Sequence, residues 1–196
     1  KCEERVKKDF KCAVWCDAAS DCLGSDVLPL LPKKNDKIKI LPSGLTSKIK
    51  SIETMTGELQ EAFTPMSVTI VLEDNIDVSR GDMIVLDNKE PEVDKEIDLM
   101  VCWLSEKDLI PNGKYVLRHT TNEALCIIKE VSYKVNINNL EKNYDDLNVG
   151  LNEIARIKIK SSKPVFFDSY RRNRISGSLI IVEEGTNNTV GAGMIV

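Results

Sequence analysis

Along much of this 196-residue chain apolar and polar side chains alternate with a period of two, and that period admits few folds. Successive residues of a strand point to opposite faces of a sheet, so alternation marks half-buried strands, whereas a helix repeats every ~3.6 residues. The pattern is plain in Lys37-Ile38-Lys39-Ile40, in Val131-Ser132-Tyr133-Lys134-Val135-Asn136-Ile137 and in Ile154-Ala155-Arg156-Ile157-Lys158-Ile159-Lys160. Further strands are predicted at 67–72, 83–86, 97–104, 115–118, 123–129 and 178–182. Turn formers separate them: Pro42-Ser43-Gly44, Arg80-Gly81-Asp82, Pro111-Asn112-Gly113 and Gly185-Thr186-Asn187-Asn188. Only 2–10 and 139–146 read as short helices, whereas a parallel sheet needs crossovers of about a dozen residues or more. The chain is therefore predicted to be all-β, built as barrels or a sandwich.

Composition shifts at 87–96, Asp87-Asn88-Lys89-Glu90-Pro91-Glu92-Val93-Asp94-Lys95-Glu96, a polar stretch that cannot bury itself. Such stretches run over the surface as loops or linkers. The reading places two domains at 1–90 and 91–196, with Trp103 and Phe166 in the core of the second. A hydrophobic fraction of 42% is ample for burial and excludes a disordered chain. The net charge of −4 gives no general electrostatic reason to approach nucleic acid or an anionic membrane. No apolar run reaches the ~18–20 residues that span a bilayer, and the opening KCEERVKKDF lacks the apolar centre of a secretory signal. A cytoplasmic protein is expected.

Four of the six cysteines, Cys2, Cys12, Cys16 and Cys22, fall in the first 22 residues, with Cys102 and Cys126 beyond. Structural zinc takes two closely spaced ligand pairs. Cys12 and Cys16 are such a pair, but Cys22 stands alone and the single histidine, His119, is distant, so free thiols and no metal are expected. Nucleophilic catalysis would have to use His119, which reads as a surface or hydrogen-bonded structural residue. Glu73-Asp74 with Asp77, and Asp145-Asp146, lack the spacing of a calcium loop and read as solvated carboxylates. No G-x-x-x-x-G-K-[ST] phosphate loop occurs, and Asn88-Lys89-Glu90 lacks the aspartate that would hold guanine. No catalytic or cofactor-binding residue is therefore assigned. The compact basic cluster Tyr170-Arg171-Arg172-Asn173-Arg174 is the candidate for contact with phosphate, RNA or an acidic partner, through Arg171, Arg172 and Arg174.

A longer series is more specific than any of these motifs. Lys39-Ile40-Leu41-Pro42-Ser43-Gly44-Leu45-Thr46-Ser47, Gly57-Glu58-Leu59-Gln60-Glu61-Ala62-Phe63 and Val68-Thr69-Ile70-Val71-Leu72-Glu73-Asp74 follow one another in the first half. In the second half come Val101-Cys102-Trp103-Leu104-Ser105-Glu106, Phe167-Asp168-Ser169-Tyr170-Arg171-Arg172-Asn173-Arg174 and Thr189-Val190-Gly191-Ala192-Gly193-Met194-Ile195. From about residue 33 to 196 this order resembles the second and third domains of the large, GTPase subunit of bacterial sulfate adenylyltransferase (ATP sulfurylase). Residues 1–32 depart from the family pattern.

The resemblance implies two consecutive small β-barrels like domains 2 and 3 of elongation factor Tu. It further implies a parent that couples GTP hydrolysis to formation of adenosine 5′-phosphosulfate and pyrophosphate from ATP and sulfate. The implied partners are the GTPase domain of the same protein and the small catalytic subunit, with GTP held outside this stretch. Two other readings compete: a translation-factor-like module that binds RNA or the ribosome, and a stand-alone binding protein.

Overall fold

The computed structural model describes residues 32–62, 68–87 and 90–196. Cys2, Cys12, Cys16 and Cys22, the helix expected at 2–10, nearly all of the atypical opening and Asn88-Lys89 lie outside the described residues. Strands, turns and loops make up the described residues, with no helix among them. The chain divides into two compact units, Lys1–Glu90 and Pro91–Val196.

In the first unit the strands are β1 (Lys37–Leu41), β2 (Thr46–Thr54), β3 (Gly57–Leu59), β4 (Thr69–Leu72) and β5 (Met83–Leu86). All pairings are antiparallel. β1 lies between β5 and the start of β2, and the rest of β2 carries β3 and β4. Alternation decides the faces: Lys37 and Lys39 look outward while Ile38 and Ile40 join Ile49, Ile52, Ile70 and Leu72 in the core. Gly44 turns the chain between β1 and β2 at φ 74°, its N–H donating to Ile40 O at 2.7 Å. A side chain there would be strained.

The second unit comprises β6 (Glu92–Trp103), β7 (Lys114–His119), β8 (Asn122–Val135), β9 (Lys142–Asn143), β10 (Ile154–Phe167), β11 (Ser178–Glu183) and β12 (Thr189–Ile195). Six of them close into a ring in the order β10-β6-β12-β11-β7-β8, with β8 returning to β10, and β9 is appended to β8. Closure removes the unpaired edges that an open antiparallel sheet leaves exposed. Inward residues fill the ring, among them Leu99, Val101, Leu117, Ile128, Ile157 and Ile181. Trp103 is 1% exposed, donates its indole N–H to Lys107 O at 2.8 Å and meets the Tyr115 ring edge-on at 5.8 Å. The expected all-β architecture is thus present as two barrel-like sheets.

Three expectations are corrected. Residues 139–146 form no helix: they close the β8–β9 hairpin, with Leu140 in the left-handed region at φ 60°. The asparagines there compete for the backbone, Asn136 Oδ1 accepting from Asn138 N–H and Asn139 Oδ1 from Glu141 N–H. The polar stretch 87–96 is a connection only in part, because β6 starts at Glu92 and its exposed first residues pair with the end of β10. Backbone pairing needs no apolar side chain. Finally, Phe167, not Phe166, points into the second core, while Phe166 is half-buried. The inward phase of Ile157 and Ile159 is interrupted at exposed Lys163, where the β10–β6 register shifts between Lys160 and Val165, and it resumes at Val165 and Phe167.

Candidate functional site

The basic cluster lies on the loop 168–177, between the last residue of β10 and the first of β11. Its own backbone folds it into consecutive turns: Arg172 N–H and Asn173 N–H both donate to Ser169 O, at 2.9 and 3.0 Å, and Gly177 N–H donates to Asn173 O at 2.8 Å. Asn173 Oδ1 accepts from Ile175 N–H at 3.0 Å. Gly177 is required by close approach, since a Cβ there would lie 2.4 Å from Tyr170 Cα. Every larger residue would push the loop apart.

Further bonds fasten the loop to the barrel. Tyr170 N–H donates to Ile195 O at 2.9 Å, and Ile195 N–H donates to Gly177 O at 2.7 Å. Ser176 Oγ donates to Asp168 Oδ2 at 2.7 Å. From β7, alternation sends Leu117 and His119 inward and Arg118 outward. His119, 3% exposed, holds Ser176 O at 2.7 Å through Nε2. A carbonyl only accepts, so Nε2 carries the proton. Burial holds the His119 pKa below its usual 6.5, while the Ser176 carbonyl and the Asp168 carboxylate pull the other way. His119 is thus a buried structural tie to the loop.

Arg171, Arg172 and Arg174 are exposed. Arg172, itself exposed, approaches the half-buried Asp168 only at 3.6 Å from Oδ1, a long contact that contributes at most ~1 kcal/mol. Arg174 and Tyr170 border a shallow groove of about 770 Å³ on the outside of the barrel. Its other residues include Arg118 from β7, Ile180 from β11, and Ala192 and Met194 from β12. In register, Ile180 pairs with both Arg118 and Ala192, and Ser178 pairs with Met194. Arg118 Nε lies 2.8 Å from Glu123 Oε1, but the N–H is not directed at that oxygen, so the contact is an ion pair without a hydrogen bond. Sequence reasoning singled out the three loop arginines and missed Arg118, Ile180 and Met194. Their signal was the outward phase of their strands, legible only once β7, β11 and β12 are known to be neighbours.

The other candidate groups do not converge. Asp74 accepts from Ser47 Oγ at 2.8 Å, and Asp146 pairs with Lys134 at 2.9 Å. Among the described residues, no three metal-ligating side chains stand together as an ion would require. Cys126 is buried, which pushes its thiol pKa up to about 12 and leaves it inert. Nor is any helix of the described residues long and apolar enough to cross a membrane.

Closed antiparallel barrel, companion sheet and fastened basic loop define a two-barrel module of the kind found in translation factors. The chain belongs to the GTP-eEF1A C-terminal domain-like family, whose model matches residues 96–196. It is similar to sulfate adenylyltransferase subunit 1 of Bacteroides fragilis, 43% identical over 164 residues that cover 84% of this chain and 34% of the relative. To the bifunctional enzyme CysN/CysC of Rhodopirellula baltica it is 40% identical over 164 residues, covering 84% of this chain and 25% of that one. The chain spans about one third of the length of the subunit 1 relatives. Among solved structures, sup35 complexed with GDP superposes with a TM-score of 0.74 at 15% identity, covering 84% of this chain and 40% of sup35. Translation elongation factor SelB from Methanococcus maripaludis, apo form, gives 0.65 at 17% identity over 85% of this chain and 36% of its own. At such identities the likeness is one of fold alone.

Proposed function

We propose that this chain is the non-catalytic barrel region of a sulfate adenylyltransferase subunit 1. In that role it supports GTP-driven formation of adenosine 5′-phosphosulfate and pyrophosphate from ATP and sulfate. The observation that carries the reading is identity of 42–43% to relatives named sulfate adenylyltransferase subunit 1, over 84% of the chain, against 15–17% to translation factors of the same fold. The partners on this reading are the GTPase domain and the small catalytic subunit.

On this reading GTP is held by the GTPase domain and not by these barrels. A phosphate cradle aims backbone N–H groups from a glycine-rich loop at the start of a helix. The sequence has no such loop, which supports that reading. The barrels' contribution is to dock, and docking couples GTP hydrolysis to sulfate activation if its free energy differs between the nucleotide states of the GTPase domain.

The test combines the purified chain with the GTPase domain and the small subunit of a relative and follows co-elution on gel filtration. The chain is expected to travel with one or both. Elution alone, together with retention of labelled RNA, would instead establish the translation-factor-like reading.

A further inference from the structure

We infer that the groove between the arginine loop and the outer face of β11 and β12 receives an extended acidic segment of a protein partner, with an apolar side chain set on its floor. The floor is apolar because Ile180 and Ala192 are cross-strand partners that both point out of the barrel, with Met194 two residues along β12. Met194 is 42% exposed, and methionine adapts its shape to varied apolar partners. The rim is cationic. Arg174 borders it from the loop and Arg118 from β7.

Charge specifies the occupant. The chain as a whole is acidic, and the other strand arginine of this barrel, Arg156, is hydrogen-bonded to Asp98 at 3.0 Å. By contrast no carboxylate of the described residues lies within ion-pair distance of Arg174, whereas Arg118 is paired with Glu123 and adds only charge to the rim. The Arg174 guanidinium is thus left for a carboxylate from outside, which it binds in a fork geometry. The loop that presents Arg174 is fixed by its ties to Ile195 and His119, so little ordering entropy is lost on binding.

Ring closure excludes strand addition here, because β7, β11 and β12 are each paired on both sides. Side chains alone must therefore do the recognising. An apolar floor does not suit a phosphodiester backbone, which needs a longer cationic track with stacking platforms. This inference deepens the docking role proposed above by giving the chemistry of what docks, but its test does not depend on that role.

Random peptides of about twelve residues, displayed on phage, are selected on the purified full chain at low salt and the enriched sequences are remade as free peptides. Enriched peptides are expected to carry Asp or Glu beside an aliphatic or aromatic residue. Their affinity should fall at least about tenfold in Arg174→Glu and, separately, in Ala192→Trp, which fills the floor, while the melting temperature of each variant stays unchanged. No enrichment, enriched peptides without acidic residues, or binding indifferent to both variants would overturn the inference. So would an oligouridine of similar length that displaces the peptide at equal concentration. A peptide that meets every expectation yet does not compete with the GTPase domain or the small subunit supports the groove as a site and removes it from the assembly.

Discussion

His119 and Ser176 stand 57 positions apart in sequence, and the imidazole Nε2 donates to the Ser176 carbonyl at 2.7 Å, joining the end of β7 to the loop that carries the arginines. Because burial lowers the His119 pKa, the folded chain keeps the ring neutral at pH values where the unfolded chain, near 6.5, takes up a proton. The contribution is therefore complete above about pH 6.5 and is lost as the pH falls toward the depressed folded value, by up to ~1.4 kcal/mol per pH unit. His119→Gln keeps a donor near the carbonyl and removes the titration. Urea unfolding between pH 7 and 5 should lose stability less steeply in this variant than in the parent, and equal slopes would refute the assignment.

Trp103→Ala removes the largest fully buried side chain of the second barrel, together with its bond to Lys107 O and its edge contact with Tyr115. The cost should be about 3–5 kcal/mol, as for other large aromatic deletions from cores. Chemical denaturation followed by circular dichroism measures it, and a loss below ~1 kcal/mol would show that the ring is not packed as described.

Gly177→Ala places a methyl group against the Tyr170 backbone, where only displacement of the loop can make room. Overpacking of this kind costs about 1–3 kcal/mol. The amide resonances of 168–177 should shift while those of β8 and β10 hold still; a spectrum without change in the loop contradicts the close approach.

Replacing Arg171, Arg172 and Arg174 together by serine should leave the melting temperature nearly unaltered, since exposed substitutions generally shift stability by about 0.5 kcal/mol or less. Association with the GTPase domain or small subunit should weaken, most clearly at low salt. Intact assembly accompanied by a marked loss of thermal stability would assign the arginines to the fold instead.

The isolated chain should bind neither GTP nor ATP, having no phosphate loop. Calorimetric titration is expected to give no dissociation constant tighter than about 10 μM, which corresponds to about −7 kcal/mol. A tighter value would place a nucleotide site on these barrels.

The period-two pattern by itself determined that the chain is all-β and which residues face a core, because side-chain direction along a strand is local. Ile38 and Ile40, or Ile157 and Ile159, needed no neighbour to declare their face. Past Lys160 the rule fails, because the β10–β6 register shifts and Lys163 in the inward phase is exposed, so the choice of Phe167 over Phe166 was left to the structure. The exposed arginines of the loop were legible, since three guanidinium groups so close together are costly to bury. What only the tertiary structure decided is which strands are neighbours. Ring order brings Arg118, Ile180 and Ala192 side by side from three separate stretches, and the His119 bond to Ser176 depends on the same closure. Long-range pairing follows from burying all inward faces at once, a condition on the whole barrel that no local window of sequence contains.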